Sequence, residues 1–180
     1  AQDLPYIVME LVRGQQLKDL LKQEGHLSPK RTVAILVQVL SALSEAHQYG
    51  FIHRDLKPGN IMLCRRPGFP DDFVKVLDFG IAKFVFDDSS STGDMAGTPK
   101  YMPPEQFRNE PITLAADLYS VGCIAYEMLT GIVPFDGETF HVTVSKHLFM
   151  TPPSFPPEVE QYPNLVATVF KLLEKQPQDR

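Results

Sequence analysis

Cysteine is scarce in this chain, a basic tract is missing, and no apolar run reaches membrane length. Each absence removes a class of protein. The two cysteines, Cys64 and Cys123, stand far apart in apolar surroundings, so no disulfide framework organises the chain and a reducing, cytoplasmic setting is expected. Lys and Arg total 17 against 22 Asp and Glu, a formal net charge of -5, which argues against a nucleic-acid partner held through its phosphates. The longest uncharged apolar stretch, Thr32 to Ser44, is too short to span a bilayer, so no membrane segment is expected in this part. The first residues show no charged, apolar, small-residue series of a secretory signal. Internal repeats and coiled-coil heptads are lacking as well.

What remains is a globular balance. At 180 residues with 43% hydrophobic and 22% charged, the chain has room for one packed domain and little more. Tyr6 to Met9 reads as a short strand broken by Gly14, and Leu17, Leu20 and Leu21 form a helical stripe up to Gly25. Ser28-Pro29 opens a second helix, in which Val33, Leu36, Val37, Leu40 and Leu43 recur at helical spacing until Gly50 closes it. Ile61–Leu63 and Phe73–Leu77 read as a β-hairpin, joined by a Pro/Gly/Asp-rich turn with Arg65 and Arg66 on a solvated face. Ala115 to Thr130 is apolar nearly all round and belongs at the centre of a helical domain. Leu165 to Leu173 is amphipathic and adds a last helix. Prolines cluster at Pro99, Pro103 and Pro104 and again at Pro152, Pro153, Pro156 and Pro157, marking loops or helix starts. The stretch Asp87 to Asp94, with Ser89, Ser90, Ser91 and Thr92, has nothing to bury and reads as a loop. His26, His47, His141 and His147 lack metal-ligand spacing and are expected at the surface or partly packed.

Three clusters carry the chemistry. They are His53-Arg54-Asp55-Leu56-Lys57-Pro58-Gly59-Asn60, then Asp78-Phe79-Gly80, then Gly97-Thr98-Pro99-Lys100-Tyr101-Met102-Pro103-Pro104-Glu105. The first puts a carboxylate, an ammonium and an amide in one loop. A carboxylate accepts a proton, an ammonium neutralises phosphate charge, and Asn and Asp oxygens suit a hard cation such as Mg²⁺. Taken alone, any one such cluster is usually a solvated polar loop.

Together, in this order and at this spacing, the clusters resemble the motif set of eukaryotic-like Ser/Thr protein kinases, with details similar to the bacterial members. The resemblance implies an α+β, protein-kinase-like fold: a predominantly helical large lobe with a hinge strand and a small β-hairpin. Residues 1–180 would be part of a kinase catalytic domain, its hinge and C-terminal lobe, with residues 78–105 as the activation segment. No Gly-rich loop and no V-A-I-K Lys precede Tyr6, so the family's N-terminal lobe is expected to lie outside this sequence. The implied cofactors are ATP and Mg²⁺, and the implied partner is a protein substrate with a Ser or Thr acceptor. Oligomeric state is not legible.

The family's roles carry over residue by residue. Asp55 would take the acceptor's proton, Lys57 would steady the transferred phosphate, and Thr98 would bond near both. Asn60 and Asp78 would hold Mg²⁺. Met9, Glu10, Val12, Gln16 and Met62 would line the nucleotide site, although Met9 and Met62 read equally well as core filler. Thr92, then Ser90 and Ser91, would be the activating phosphosites, with Arg54 and Lys83 receiving the phosphate. His53 and Phe79 would pack in a hydrophobic spine, Asp117 would brace the catalytic loop, and Glu105 would pair with Arg180. Pro103 stands where the family has Ala, and Tyr119 where it often has Trp. The alternative function is a pseudokinase acting as a scaffold or allosteric partner, and what separates the two is whether Asp55, Lys57, Asn60 and Asp78 are kept. A small-molecule phosphotransferase of related fold is disfavoured by the Thr98 to Glu105 stretch.

Overall fold

The computed structural model describes residues 10–65, 72–79 and 99–180. The expected strand at Tyr6–Met9, the turn from Arg66 to Asp71 and the loop Asp87–Asp94 lie outside the described residues. The chain enters as β1 (Gln15–Gln16) and runs into α1 (Leu17–Glu24) and α2 (Pro29–Gln48). A 3-10 turn at Pro58–Asn60 leads into β2 (Ile61–Cys64) and β3 (Phe73–Val76). After a 3-10 turn at Pro99–Tyr101 come α3 (Pro104–Phe107), α4 (Ala115–Thr130), α5 (Phe140–Phe149), α6 (Pro157–Glu160) and α7 (Pro163–Leu172). Pro29, Pro104, Pro157 and Pro163 each open a helix, where a missing N–H costs nothing and the fixed φ suits the first turn.

The sheet has three strands in the order β1-β2-β3, all antiparallel, and so exceeds the expected hairpin by one short strand. Gln15 and Gln16 lie opposite Leu63 and Met62. Their polarity hides them from any search for strands by hydrophobic alternation. Gly14 makes this pairing possible: a Cβ there would fall 2.5 Å from the Leu63 carbonyl oxygen. On the other edge, Gln38 of α2 accepts from Val74 N at 3.0 Å and donates to Asp72 O at 2.9 Å, fastening β3 to the helix.

In α2 the buried face is Thr32, Ile35, Leu36, Val39 and Leu43. Val33 and Val37, which the spacing placed in the stripe, are instead 42% and 59% exposed. The helix is apolar over more than one face, so periodicity alone could not choose which face meets the core. The all-round apolar α4 is indeed central, with Ala116, Asp117, Tyr119 to Tyr126, Met128 and Leu129 buried. It ends at Gly131 in the left-handed region at φ 80°, where a Cβ would sit 2.8 Å from Gly25 O. Leu27 N donates to Met128 O at 2.6 Å beside that glycine, pinning the α1–α2 connection to the end of α4. Both cysteines are free and buried. Among the described residues no helix is long and apolar enough to cross a membrane.

His26 and His141 are exposed, as expected. His147 is not: it is fully buried on α5, its Nδ1 2.9 Å from the Tyr119 hydroxyl and its ring 4.9 Å from Phe135 and 5.7 Å from Phe107. Burial, with help from the Lys175 ammonium, lowers its pKa from 6.5 to about 3. A folded-state pKa below the unfolded value means the unfolded chain binds the extra proton. The resulting stability is full above about pH 6.5 and is lost as pH falls toward 3, up to on the order of 4 kcal/mol. Urea unfolding at pH 7 and pH 4.5 checks this. His147→Gln is expected to be less stable at pH 7 yet to lose less on acidification, and an equal acid loss in both proteins would refute the assignment.

Candidate active site

The loop between α2 and β2 is built around Asp117. One carboxylate oxygen accepts the His53 backbone N–H at 2.8 Å and lies 2.8 Å from His47 Nε2, and the other accepts the Arg54 N–H at 3.0 Å. Arg54 sits at φ 64°, a left-handed backbone that a long side chain adopts only when its surroundings hold it there. Asp117 supplies that hold from the central helix, itself only 1% exposed.

His53 is a structural residue at this point. It is fully buried, its ring 4.9 Å from that of Phe79, and its Nε2 is 2.8 Å from Leu77 O. Asp55 N donates to His53 Nδ1 at 3.4 Å, so the partners assign a neutral imidazole with its hydrogen on Nε2. Leu77 N in turn donates to Asn60 O at 2.8 Å. These bonds bring the end of β3, and with it Asp78, alongside the loop that carries Asp55 and Asn60.

The reactive-type groups then fall together. Lys57 Nζ lies 2.7 Å from Asp55 Oδ2, with the two side chains 35% and 45% exposed. Asn60, 8% exposed, donates its amide to Asp55 O at 2.9 Å. The amide nitrogen is committed there, which leaves the amide oxygen as the end able to meet a cation. Asp78 is exposed and adopts φ 56°. Among the described residues no group of three His, Cys, Asp or Glu side chains is assembled for a metal. One amide and one carboxylate are a set suited to Mg²⁺, which keeps several waters and takes few protein ligands.

A second wall faces this loop. Arg54, Asp55, Leu56 and Lys57 line a narrow cleft with Tyr101, Met102 and Ser120. The Tyr101 hydroxyl donates to Glu127 at 2.7 Å, and burial, then the Glu127 charge, raises the tyrosine pKa far above its usual range. Glu127 is itself shifted up by burial, with the Tyr101 bond and Lys100 opposing. Lys100 pairs with Asp136 at 2.6 Å, a bond that lowers the Asp136 pKa.

Of the residues that the resemblance assigns to the nucleotide, Gln16 and Met62 are directly opposed across β1 and β2. Met62 is 8% exposed yet stands apart from the main hydrophobic cluster, which holds its neighbours Ile61 and Leu63. The Glu10 carboxylate takes both its oxygens to Lys75 Nζ, at 2.7 and 2.8 Å. Val12 is half-buried between Glu10 and β1. Met9, Lys83, Ser90, Ser91, Thr92 and Thr98 lie outside the described residues. Glu105 and Arg180 meet in a bidentate pair at 2.6 and 2.8 Å, both side chains fully buried.

Sequence reasoning missed His47 and Ser120. His47 lies in the last turn of α2, partly packed as expected with a side chain 13% exposed, but its link to Asp117 is not legible from its spacing. Ser120 follows Asp117 by one helical turn and so shares its face, a spacing that could have flagged it.

The protein kinase domain family model matches residues 1–180. The chain is 45% identical over 183 residues to the serine/threonine-protein kinase pkn3 of Myxococcus xanthus, covering 97% of this chain and 33% of that protein. It is 46% identical over 160 residues to a probable serine/threonine-protein kinase PknB of Bifidobacterium longum, covering 86% of this chain and 22% of the relative. With the serine/threonine-protein kinase PknB of Mycobacterium tuberculosis it shares 40% identity over 186 residues, covering 100% of this chain and 29% of the relative. The chain therefore spans a third or less of the length of these curated relatives.

Proposed function

The chain belongs to the protein kinase domain family, and on that premise we propose that it transfers the γ-phosphate of ATP to Ser or Thr hydroxyls of protein substrates. The observation that carries this reading is the Asp55 carboxylate, 2.7 Å from Lys57 Nζ and on the same loop as Asn60. In this role the acceptor oxygen attacks the γ-phosphorus, its proton passes to Asp55, and the bond to the ADP oxygen breaks. Lys57 holds the transferred group by charge. Asn60 Oδ1 and the Asp78 carboxylate would hold Mg²⁺, which when bound with ATP neutralises charge developing between the phosphates. Gln16, Met62, Val12 and the backbone at Glu10 would take the nucleoside. A scaffold would have no need of Asp55, Lys57, Asn60 and Asp78, and this chain keeps all of them.

The test uses the full-length protein with γ-labelled ATP, Mg²⁺ and Ser/Thr-containing peptides. Label is expected on Ser or Thr and is expected to vanish when Mg²⁺ is chelated. Mass spectrometry of the protein itself should find phosphate in the stretch Ser90–Thr92, whose receiving cations would be Arg54 and Lys83. Absence of label on any hydroxyl would overturn the reading.

A further inference from the structure

Ser120 is 5% exposed, and its hydroxyl reaches two carbonyls, Tyr101 O at 2.8 Å and Ala116 O at 3.4 Å. A serine inside a helix ordinarily donates to the carbonyl one turn back. One hydroxyl carries one hydrogen, and the shorter, better contact takes it. The bond therefore leaves the helix and holds the turn at Pro99–Tyr101. Tyr101, Met102 and Ser120 line the same cleft as Asp55 and Lys57. The opposite wall hangs on the same helix through Asp117, which binds the N–H groups of His53 and Arg54. Both walls thus take their position from α4, one through Asp117 and the other through Ser120.

We propose that Ser120 is a positioning residue for the peptide acceptor, setting the separation between the Tyr101–Met102 wall and the Asp55 carboxylate. The proposal rests on the phosphoryl-transfer reading. Ser120 acts through the Tyr101 carbonyl and does not meet the reacting atoms. The far end of Tyr101 is fixed by Glu127 at 2.7 Å, so without the serine bond the turn can pivot about that hydroxyl and carry Met102 with it. Alignment is where much of the rate of such a reaction arises, and a displacement of about 1 Å can cost up to about 10²-fold. Among the described residues β1 and β2, which build the nucleotide side, make no hydrogen bond to this turn, so that side should not feel the change.

The experiment measures peptide and ATP constants separately on the full-length protein. Ser120→Ala is expected to raise the peptide KM and lower kcat, roughly tenfold in kcat/KM for the peptide, while leaving the KM for ATP unchanged. Ser120→Cys nearly keeps the volume but offers only a weak donor, so it should behave like Ser120→Ala. An unchanged peptide KM in Ser120→Ala, a wild-type KM in Ser120→Cys, or an equal rise in both KM values would each overturn the proposal. Wild-type protein that transfers no phosphate overturns the transfer reading and this proposal with it. An active wild type with an unaltered Ser120→Ala variant overturns this proposal alone.

Discussion

Asp55→Asn is expected to lower phosphoryl transfer by roughly 10²–10⁴-fold, the usual range for a positioned general base, with little change in folding stability. The side chain is 45% exposed and its ion pair to Lys57 is 35% exposed on the lysine side, so the pair contributes little to stability. Asparagine keeps the shape of the side chain, and the backbone carbonyl that receives the Asn60 amide is untouched. What disappears is the only group on the loop able to take the acceptor's proton, since His53 is buried and committed to Leu77 O. ATP should still bind, because the nucleotide side does not depend on this carboxylate. Asp78→Asn separates the two carboxylates: it is expected to raise the Mg²⁺ concentration needed for half-maximal rate, because a charged ligand becomes neutral. Transfer by Asp55→Asn at near wild-type rate would remove this loop from the mechanism.

Much of this arrangement was legible in the sequence because it depends on local chemistry. Ser28-Pro29, Gly50 and Gly131 mark helix ends by backbone requirements that few residues meet, and the structure ends its helices there. The all-apolar α4 announces its central place because no face of it can be left in water. The site residues were read from motif order, and their contacts depend on folds of the chain that no local pattern contains. His47 and Asp117 meet across a separation of 70 residues, and Ser120 reaches Tyr101 backward across 19. β1 was invisible because a two-glutamine strand has no hydrophobic alternation and is defined by its partner β2. In α2 the expected stripe holds at Leu36, Leu40 and Leu43 and misses at Val33 and Val37, for the related reason that the neighbours, not the helix, decide the buried face. His147 shows the same limit from the other side: a titratable residue is buried where Tyr119, Phe107 and Phe135 converge, and only packing reveals it.

Arg180 and Glu105 provide the sharpest test of that packing. Both side chains are fully buried, bonded at 2.6 and 2.8 Å, with the guanidinium also donating to Ala115 O at 2.9 Å and lying 4.8 Å from the Tyr119 ring centre. Arg180 Nε further donates to Glu174 O at 2.8 Å, so one side chain ties α3, the start of α4 and the segment after α7. Removing one partner leaves a charge buried without compensation, which typically costs about 3–5 kcal/mol. Arg180→Met and Glu105→Gln are each expected to lose stability on that scale in urea unfolding, the arginine change more, because it also strands the Ala115 and Glu174 carbonyls. The double variant Glu105→Leu with Arg180→Met should lose less than the sum of the singles, since no charge is then left behind. Lys57→Met, which removes one side of a half-exposed pair, serves as the contrast and should move stability by less than about 1 kcal/mol. Single-variant losses at Glu105 and Arg180 no larger than that contrast would mean the pair is solvated, and the close packing of α3 against the segment after α7 would have to be abandoned.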